Sequence, residues 1–256
     1  MTLMKKLAAV MLSVLLLFIY SNTVAQDMKP ETGKLYNEGN SMLKAGNYAG
    51  AIENYNKALE IEKDYRIYYQ RGVAQKKTRD LEEAKMSFEE CIKLNGKFSG
   101  AFNALGGVYF QMGNYPESIN NFEKVLTLTD KASIQKKVKK NLSLAYSKLG
   151  NQELSNGDAT KGVEHLTTAV GYDNYDAAYL SLAKIYSELG EWDNSITASE
   201  NALKYRSKIT KGGPYYYMGI SYKGKGDTEK AKEMFNKAKG DVTYRKTAEY
   251  ELSLMN

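Results

Sequence analysis

The fourteen residues GNYAGAIENYNKAL at 46–59 return as GNYPESINNFEKVL at 113–126, and four more segments share their pattern. These are RDLEEAKMSFEECI from 79, GDATKGVEHLTTAV from 157, GEWDNSITASENAL from 190 and GDTEKAKEMFNKAK from 226. The six starts are separated by 33, 34, 44, 33 and 36 residues. A period near 34 with apolar residues at helical spacing constrains the fold more than any other feature, because one such unit cannot bury its apolar face and must stack on its neighbours. The expected fold class is all-α, an α-solenoid of about six helix-turn-helix units.

Upstream of each turn a second amphipathic segment carries a small residue seven positions before its copy: Gly39, Gly72, Gly106, Gly150, Ala183 and Gly219. Within the copies further small residues recur at Ala51, Ala84, Ser118, Gly162, Ser195 and Ala231, and at Ala58, Cys91, Val125, Ala169, Ala202 and Ala238. Small side chains let helix axes approach closely, so these columns mark where paired helices touch. Large residues fill the spaces between, with Tyr55, Phe88, Phe122, Leu166 and Phe235 in the second helices.

FNALGGVY at 102–109 followed by GNYPES at 113–118 resembles the tetratricopeptide repeat, whose pattern is W-x2-L-G-x2-Y, then G-x-Y, then A-x3-F-x2-A. The resemblance runs through nearly all of the chain beyond its first residues and implies a right-handed solenoid. On that register the units are 32–64, 65–98, 99–132, 143–175, 176–211 and 212–245. Residues 133–142 extend the first helix of unit four by nearly three turns, since Ile134, Val138 and Leu142 keep one apolar stripe. A capping helix starting near 242 and continuing through 246–256 covers the last unit with Tyr244, Ala248, Leu252 and Met255. Glu153 and Ser199 depart from the family's aromatic positions, which predicts that units four and five are the least tightly packed.

Residues 1–25 are expected to be a signal peptide, followed by a linker at 26–31. Lys5 and Lys6 precede a largely apolar run from Leu7 to Tyr20, and small residues stand at Thr23 and Ala25, the layout of a secretory leader cleaved after Ala25. The run is short of the roughly 20 residues a membrane span needs. The expectation is an exported bacterial family member, periplasmic, with an inner-membrane anchor as the alternative. With Cys91 the only cysteine, no intramolecular disulfide can form.

Catalysis requires acid, base or nucleophile groups brought together, and the chain offers one histidine, His165, and one cysteine. No phosphate loop, nucleophile elbow or zinc spacing appears. Both residues fall in packing positions, so the expectation is a non-catalytic chain with no cofactor, no metal and no catalytic residues. A formal charge of +6, or +4 without Lys5 and Lys6, does not imply nucleic acid.

In proteins of the family it resembles, the first helix of each unit lines a concave groove with its second, fifth, ninth, twelfth and thirteenth positions. That register implies a partner-binding groove containing Tyr36, Asn40, Lys44, Arg66, Tyr69, Lys76, Lys77, Asn103, Phe110, Lys184, Tyr216 and Lys223. Six cations then face one acid, Glu188, which suits an acidic peptide or helix of a partner protein. The chaperone-binding members' carboxylate clamp is absent: its places hold Tyr36 and Asn40, then Val73, then Asn103 and Gly107. The alternative reading is docking on an anionic surface (membrane, glycan or nucleic acid) through the basic stretch Lys131 to Lys148, with Lys136, Lys137 and Lys140 as the patch.

Overall fold

The computed structural model describes residues 28–255, so the expected signal peptide, the first part of the linker and the terminal Asn256 lie outside the described residues. Among the described residues there are thirteen helices and no strand. They run α1 (Pro30–Lys44), α2 (Tyr48–Ile61), α3 (Tyr65–Thr78), α4 (Leu81–Leu94), α5 (Ser99–Gln111), α6 (Tyr115–Leu128) and α7 (Ala132–Ser155). Then follow α8 (Ala159–Tyr172), α9 (Asp176–Glu188), α10 (Trp192–Lys204), α11 (Gly212–Gly224), α12 (Thr228–Ala238) and α13 (Arg245–Ser253). The first twelve pair in order, and each second helix packs on the first helix of the next pair. That neighbour-to-neighbour arrangement is an α-solenoid.

The repeated turn explains why the chain breaks where it does. At five of the six intra-unit turns a glycine with φ between 74° and 88° ends the first helix, a conformation open to glycine without a Cβ penalty. The next residue caps the second helix: Asn47 accepts from the Gly50 N–H at 3.0 Å, and Asp158 accepts from that of Lys161 at 2.9 Å. At the remaining turn Arg79 adopts φ 68°.

Inside each unit, small and large residues sixteen positions apart meet. A Cβ built on Gly39 would stand 2.6 Å from the Tyr55 ring, on Gly72 2.8 Å from Phe88, on Gly106 2.9 Å from Phe122 and on Gly219 2.6 Å from Phe235. Every one of these rings is buried. Unit five replaces the pair as a whole, with Ala183 and Ser199 at the two positions, both buried. The hydroxyl of Ser199 is buried and has no hydrogen-bond partner.

Unit four departs from the expectation of loose packing. A Cβ on Gly150 would meet the carbonyl oxygen of Gly162 at 2.9 Å, and one on Gly162 would meet that of Gly150 at 3.2 Å. With a glycine on each side, α7 and α8 come into backbone contact and do not need an aromatic filler.

α7 has 24 residues where the other first helices have 13 to 15, which adds roughly 15 Å of rod. Its extra turns are anchored by Ile134, Val138 and Leu142 against Ile119, Phe122 and Val125. At the other end α13 buries Ala248, and Tyr244, Leu252 and Met255 pack around Phe235 and Ala238.

One tie is long in sequence. Asp176 opens α9 and is fully buried, and its Oδ2 accepts from the backbone N–H groups of Ser207, Lys208 and Ile209 at 2.7, 2.6 and 3.1 Å. Burial opposes its ionisation, but those N–H groups, with that of Ala177, outweigh burial and hold the carboxyl below its usual value. The α10–α11 loop is thereby pinned to the start of α9.

Candidate functional site

The first helices place their groove positions side by side, and two adjoining hollows open where units two, three and four meet. One, of about 390 Å³, is lined by Tyr69, Val73, Lys76, Lys77, Phe88, Asn103, Ala104 and Gln111. The other, of about 220 Å³, is lined by Lys76, Asn103, Gly107, Phe110, Gln111, Phe122, Asn141 and Leu144. They share Lys76, Asn103 and Gln111, so one cation and two amides sit between two depressions of mixed polar and apolar lining.

Lys76 is half-buried, and no carboxylate among the described residues reaches it or Lys77 within ion-pair distance. Burial first, and the charge of Lys77 second, pull its ammonium below the usual lysine value. Such a group favours a ligand that returns a negative charge to it.

The other basic positions differ from expectation. Arg66 turns back onto Asp64, with Nη2 2.7 Å from Oδ2 and Nε 2.9 Å from Oδ1. Lys184 lies 3.8 Å from Glu188 on its own helix, and Lys223 lies 2.6 Å from Glu251 of α13. Three of the six expected cations are therefore neutralised within the chain. Helix geometry accounts for the second, since residues i and i+4 share a face. Lys44 is exposed in the last turn of α1 and lines neither hollow.

The expected tyrosines form a floor and do not project. Tyr36 tilts on Tyr55 at 6.2 Å, Tyr69 on Phe88 at 5.8 Å and Phe98 at 5.0 Å, and Tyr216 on Phe235 at 5.8 Å and Tyr244 at 5.5 Å. Burial raises the phenols of Tyr69 and Tyr216. Asn40 accepts from the Tyr55 hydroxyl at 2.8 Å, so its oxygen is engaged inside the unit. Of the expected set, Tyr69, Lys76, Lys77, Asn103 and Phe110 are brought together. Arg66, Lys184, Tyr216 and Lys223 are not joined to them.

Two further hollows lie in the back half, and the register accounts for only one of them. One, between α7, the α8–α9 turn and the pinned loop, is lined by Lys140, Asn174, Tyr205 and Lys208 among others, and it depends on a loop that helical periodicity does not describe. The other, lined by Asn151, Leu154, Ser181 and Lys184 among others, joins predicted positions to Ser181 and Ile185, one helical turn aside.

Lys136, Lys137, Lys139 and Lys140 are exposed on α7. Cys91 is buried and burial pushes its thiol up to about 12, which makes it a poor nucleophile. The His165 ring lies 6.0 Å from that of Tyr146. Among the described residues no three His, Cys, Asp or Glu side chains cluster as a metal site would require, and no helix is long and apolar enough to cross a membrane.

A stack of paired helices with a groove along its first helices defines a repeat protein of the helical-hairpin class. Tetratricopeptide-repeat family models match residues 39–78, 65–98, 99–132, 176–209 and 215–241, together more than half of the chain. The chain belongs to the tetratricopeptide-repeat family. It is 28% identical over 172 residues to heat shock protein STI1 of Saccharomyces cerevisiae, covering 62% of this chain and 28% of that one. It is also 28% identical over 132 residues to the photosystem I assembly protein Ycf3 of Rippkaea orientalis, covering 50% of this chain and 74% of that one. The chain spans about a third or less of the length of the first curated relatives it matches. Among solved structures it is similar to YrrB, described as a TPR protein with an unusual peptide-binding site, with a TM-score of 0.52 at 20% identity over 78% of this chain and 97% of that one.

Proposed function

We propose that this chain is a non-catalytic scaffold that captures a segment of a partner protein, an acidic peptide or helix, in the groove of its first helices. The observation that carries this reading is the pair of hollows meeting at Lys76, Asn103 and Gln111, where a half-buried cation without a carboxylate lies between depressions that combine apolar side chains such as Val73, Phe110 and Leu144 with polar ones. Such a surface offers anchors for apolar side chains and steers an acidic segment toward them. Family membership supports it, as does the name of YrrB, which records a peptide-binding site on a similar fold.

A photo-crosslinking residue placed at Asn103 should trap a partner in intact cells, whereas one at Lys124, exposed on α6, should not. Equal labelling from both positions, or none from Asn103, would overturn the groove reading. The place of action is proposed from the pattern of residues 1–25 alone: the bacterial cell envelope, on the periplasmic side. Material from the native host should then have an intact mass starting at Gln26, and a mass starting at Met1 overturns this.

A second reading follows from the lysines exposed on the α7 extension, Lys136, Lys137, Lys139 and Lys140, which take part in none of the ion pairs among the described residues. This patch would dock the scaffold on an anionic surface. Replacing Lys136, Lys137 and Lys140 by glutamine should then lower binding to anionic vesicles, and unchanged binding removes the reading.

A further inference from the structure

The chain contains its own picture of what the groove accepts. In α11, Tyr216, Ile220 and Lys223 follow one another at intervals of four and three residues. The capping helix brings Glu251 to Lys223 at 2.6 Å, leaving the Glu251 side chain only 13% exposed. It also lays Ala248 and Leu252 in one cluster with Tyr216 and Ile220. A carboxylate beside an apolar side chain therefore closes this face.

In α3 the same types recur at the same intervals: Tyr69, Val73 and Lys76. The rings are held alike, since Tyr69 lies 5.8 Å from Phe88 and Tyr216 lies 5.8 Å from Phe235. Each also meets a ring at the start of the following first helix or cap, Phe98 at 5.0 Å and Tyr244 at 5.5 Å.

What differs is the helix that follows. Glu251 stands 28 residues beyond Lys223, and the residue 28 beyond Lys76 is Ala104, which lines the hollow together with that lysine. One turn on is Gly107, and Lys76 Nζ lies 2.9 Å from the point where a Cβ on Gly107 would stand. α5 thus presents bare backbone and a methyl group where α13 presents a carboxylate. Neither hollow has an aspartate or glutamate in its lining, while the amides of Asn103 and Gln111 stand ready to bond a bound carboxylate or the peptide backbone.

We propose that Lys76 is an open seat for a carboxylate carried beside an apolar side chain on a partner segment, and that the Lys223–Glu251 pair is its filled counterpart within the chain. The proposal rests on the groove reading and specifies its ligand. The occupant is a segment of a partner protein with an acidic residue next to an apolar one. Its carboxylate meets Lys76, with Lys77 adding attraction, and its apolar neighbour enters the hollow over Tyr69 and Val73.

The test uses the mature chain, peptides from a random dodecamer library displayed on phage, and fluorescein-labelled copies of the enriched sequences. Enriched peptides should pair an acidic residue with an apolar neighbour. Lys76→Met should weaken them about tenfold, the size expected for one charge-assisted hydrogen bond. Ala104→Glu, which supplies the carboxylate from within as Glu251 does, should weaken them at least as much without lowering the melting temperature. Lys223→Met is the control: it should lower the melting temperature and leave peptide affinity unchanged. Enriched peptides without an acid, or acidic peptides indifferent to both Lys76→Met and Ala104→Glu, overturn the carboxylate seat and leave the groove reading standing. If no peptide is enriched and no amide of α3 or α5 gains protection from hydrogen exchange, the groove reading falls, and this proposal with it.

Discussion

The front half of the solenoid, α1–α6, and the back half, α7–α13, use one plan differently. In front, each unit sets a glycine on a buried ring: Gly39 on Tyr55, Gly72 on Phe88 and Gly106 on Phe122. Behind, only Gly219 on Phe235 repeats this, while unit four closes glycine to glycine and unit five has Ala183 and Ser199 at the two positions. Among the expected groove cations, Lys76 and Lys77 in front have no carboxylate partner among the described residues, whereas Lys184 and Lys223 behind have Glu188 and Glu251, and Arg66 in front turns back onto Asp64. The groove cations of the back half are completed from within the chain, and the front half leaves Lys76 for something else to complete.

The packing side of this comparison breaks most visibly at Gly106. Even a Cβ there lies 2.9 Å from a Phe122 ring that is 3% exposed, so Gly106→Leu must push the ring or part the helices. A loss of about 3 kcal/mol is expected, read as a large fall in the thermal midpoint. Neighbour contacts carry the stability of such an array, so the front half should melt apart from the back. Melting like the wild type would show that the sixteen-residue pairing does not carry the unit.

The back half has its own critical tie at Asp176. Asp176→Asn removes the charge that three loop N–H groups address and should cost on the order of 2 kcal/mol. The sign with pH is definite. The folded carboxyl titrates below the unfolded value of about 3.9, so its contribution is complete above that value and is lost as pH falls through the folded pKa. Denaturant midpoints against pH should therefore fall less steeply on the acid side in the variant, and parallel curves would exclude a stabilising role for the charge.

The charge side is sharpened by reversing each half in turn. Lys76→Glu with Lys77→Glu should weaken capture of an acidic partner at least tenfold, about 1.4 kcal/mol, and flatten its dependence on salt. Lys184→Glu removes only an exposed pair whose worth is about 1 kcal/mol or less, and it should alter capture by less than threefold. Equal effects from both would mean that net charge and not the unpaired lysine governs binding.

Much of this was legible in the residues, because helical packing is periodic and the period was plain. The columns through Gly39, Gly72 and Gly106 locate the helix contacts, and Ile134, Val138 and Leu142 locate the extension of α7. What escaped depended on contacts that no period describes. Asp176 meets an irregular loop 31 to 33 residues away, and Glu251 meets Lys223 only because of where α13 docks. The position rule assigned Lys223 and Tyr216 to the groove, but it could not see the cap that engages them. The expectation of a loose unit four failed because Glu153 was weighed alone, without the facing glycines at 150 and 162.

The smallest expected effects lie where each half carries a local flaw. In the back half the Ser199 hydroxyl is buried without a partner, and an orphaned hydroxyl costs about 1 kcal/mol or more, so Ser199→Ala should raise stability by about 1 kcal/mol. In the front half Arg79 occupies the turn position that is glycine in the other five units, at φ 68°. The left-handed conformation costs a non-glycine residue roughly 1 kcal/mol, part of which is offset by the greater freedom of glycine in the unfolded chain. Arg79→Gly should therefore gain somewhat less than Ser199→Ala, about 0.5 kcal/mol. The two sites lie in units two and five without a shared contact partner, so their gains should add in the double variant. Denaturant titration of both singles and the double measures this, and a double gain well short of the sum would mean that the halves are coupled more tightly than a nearest-neighbour stack allows.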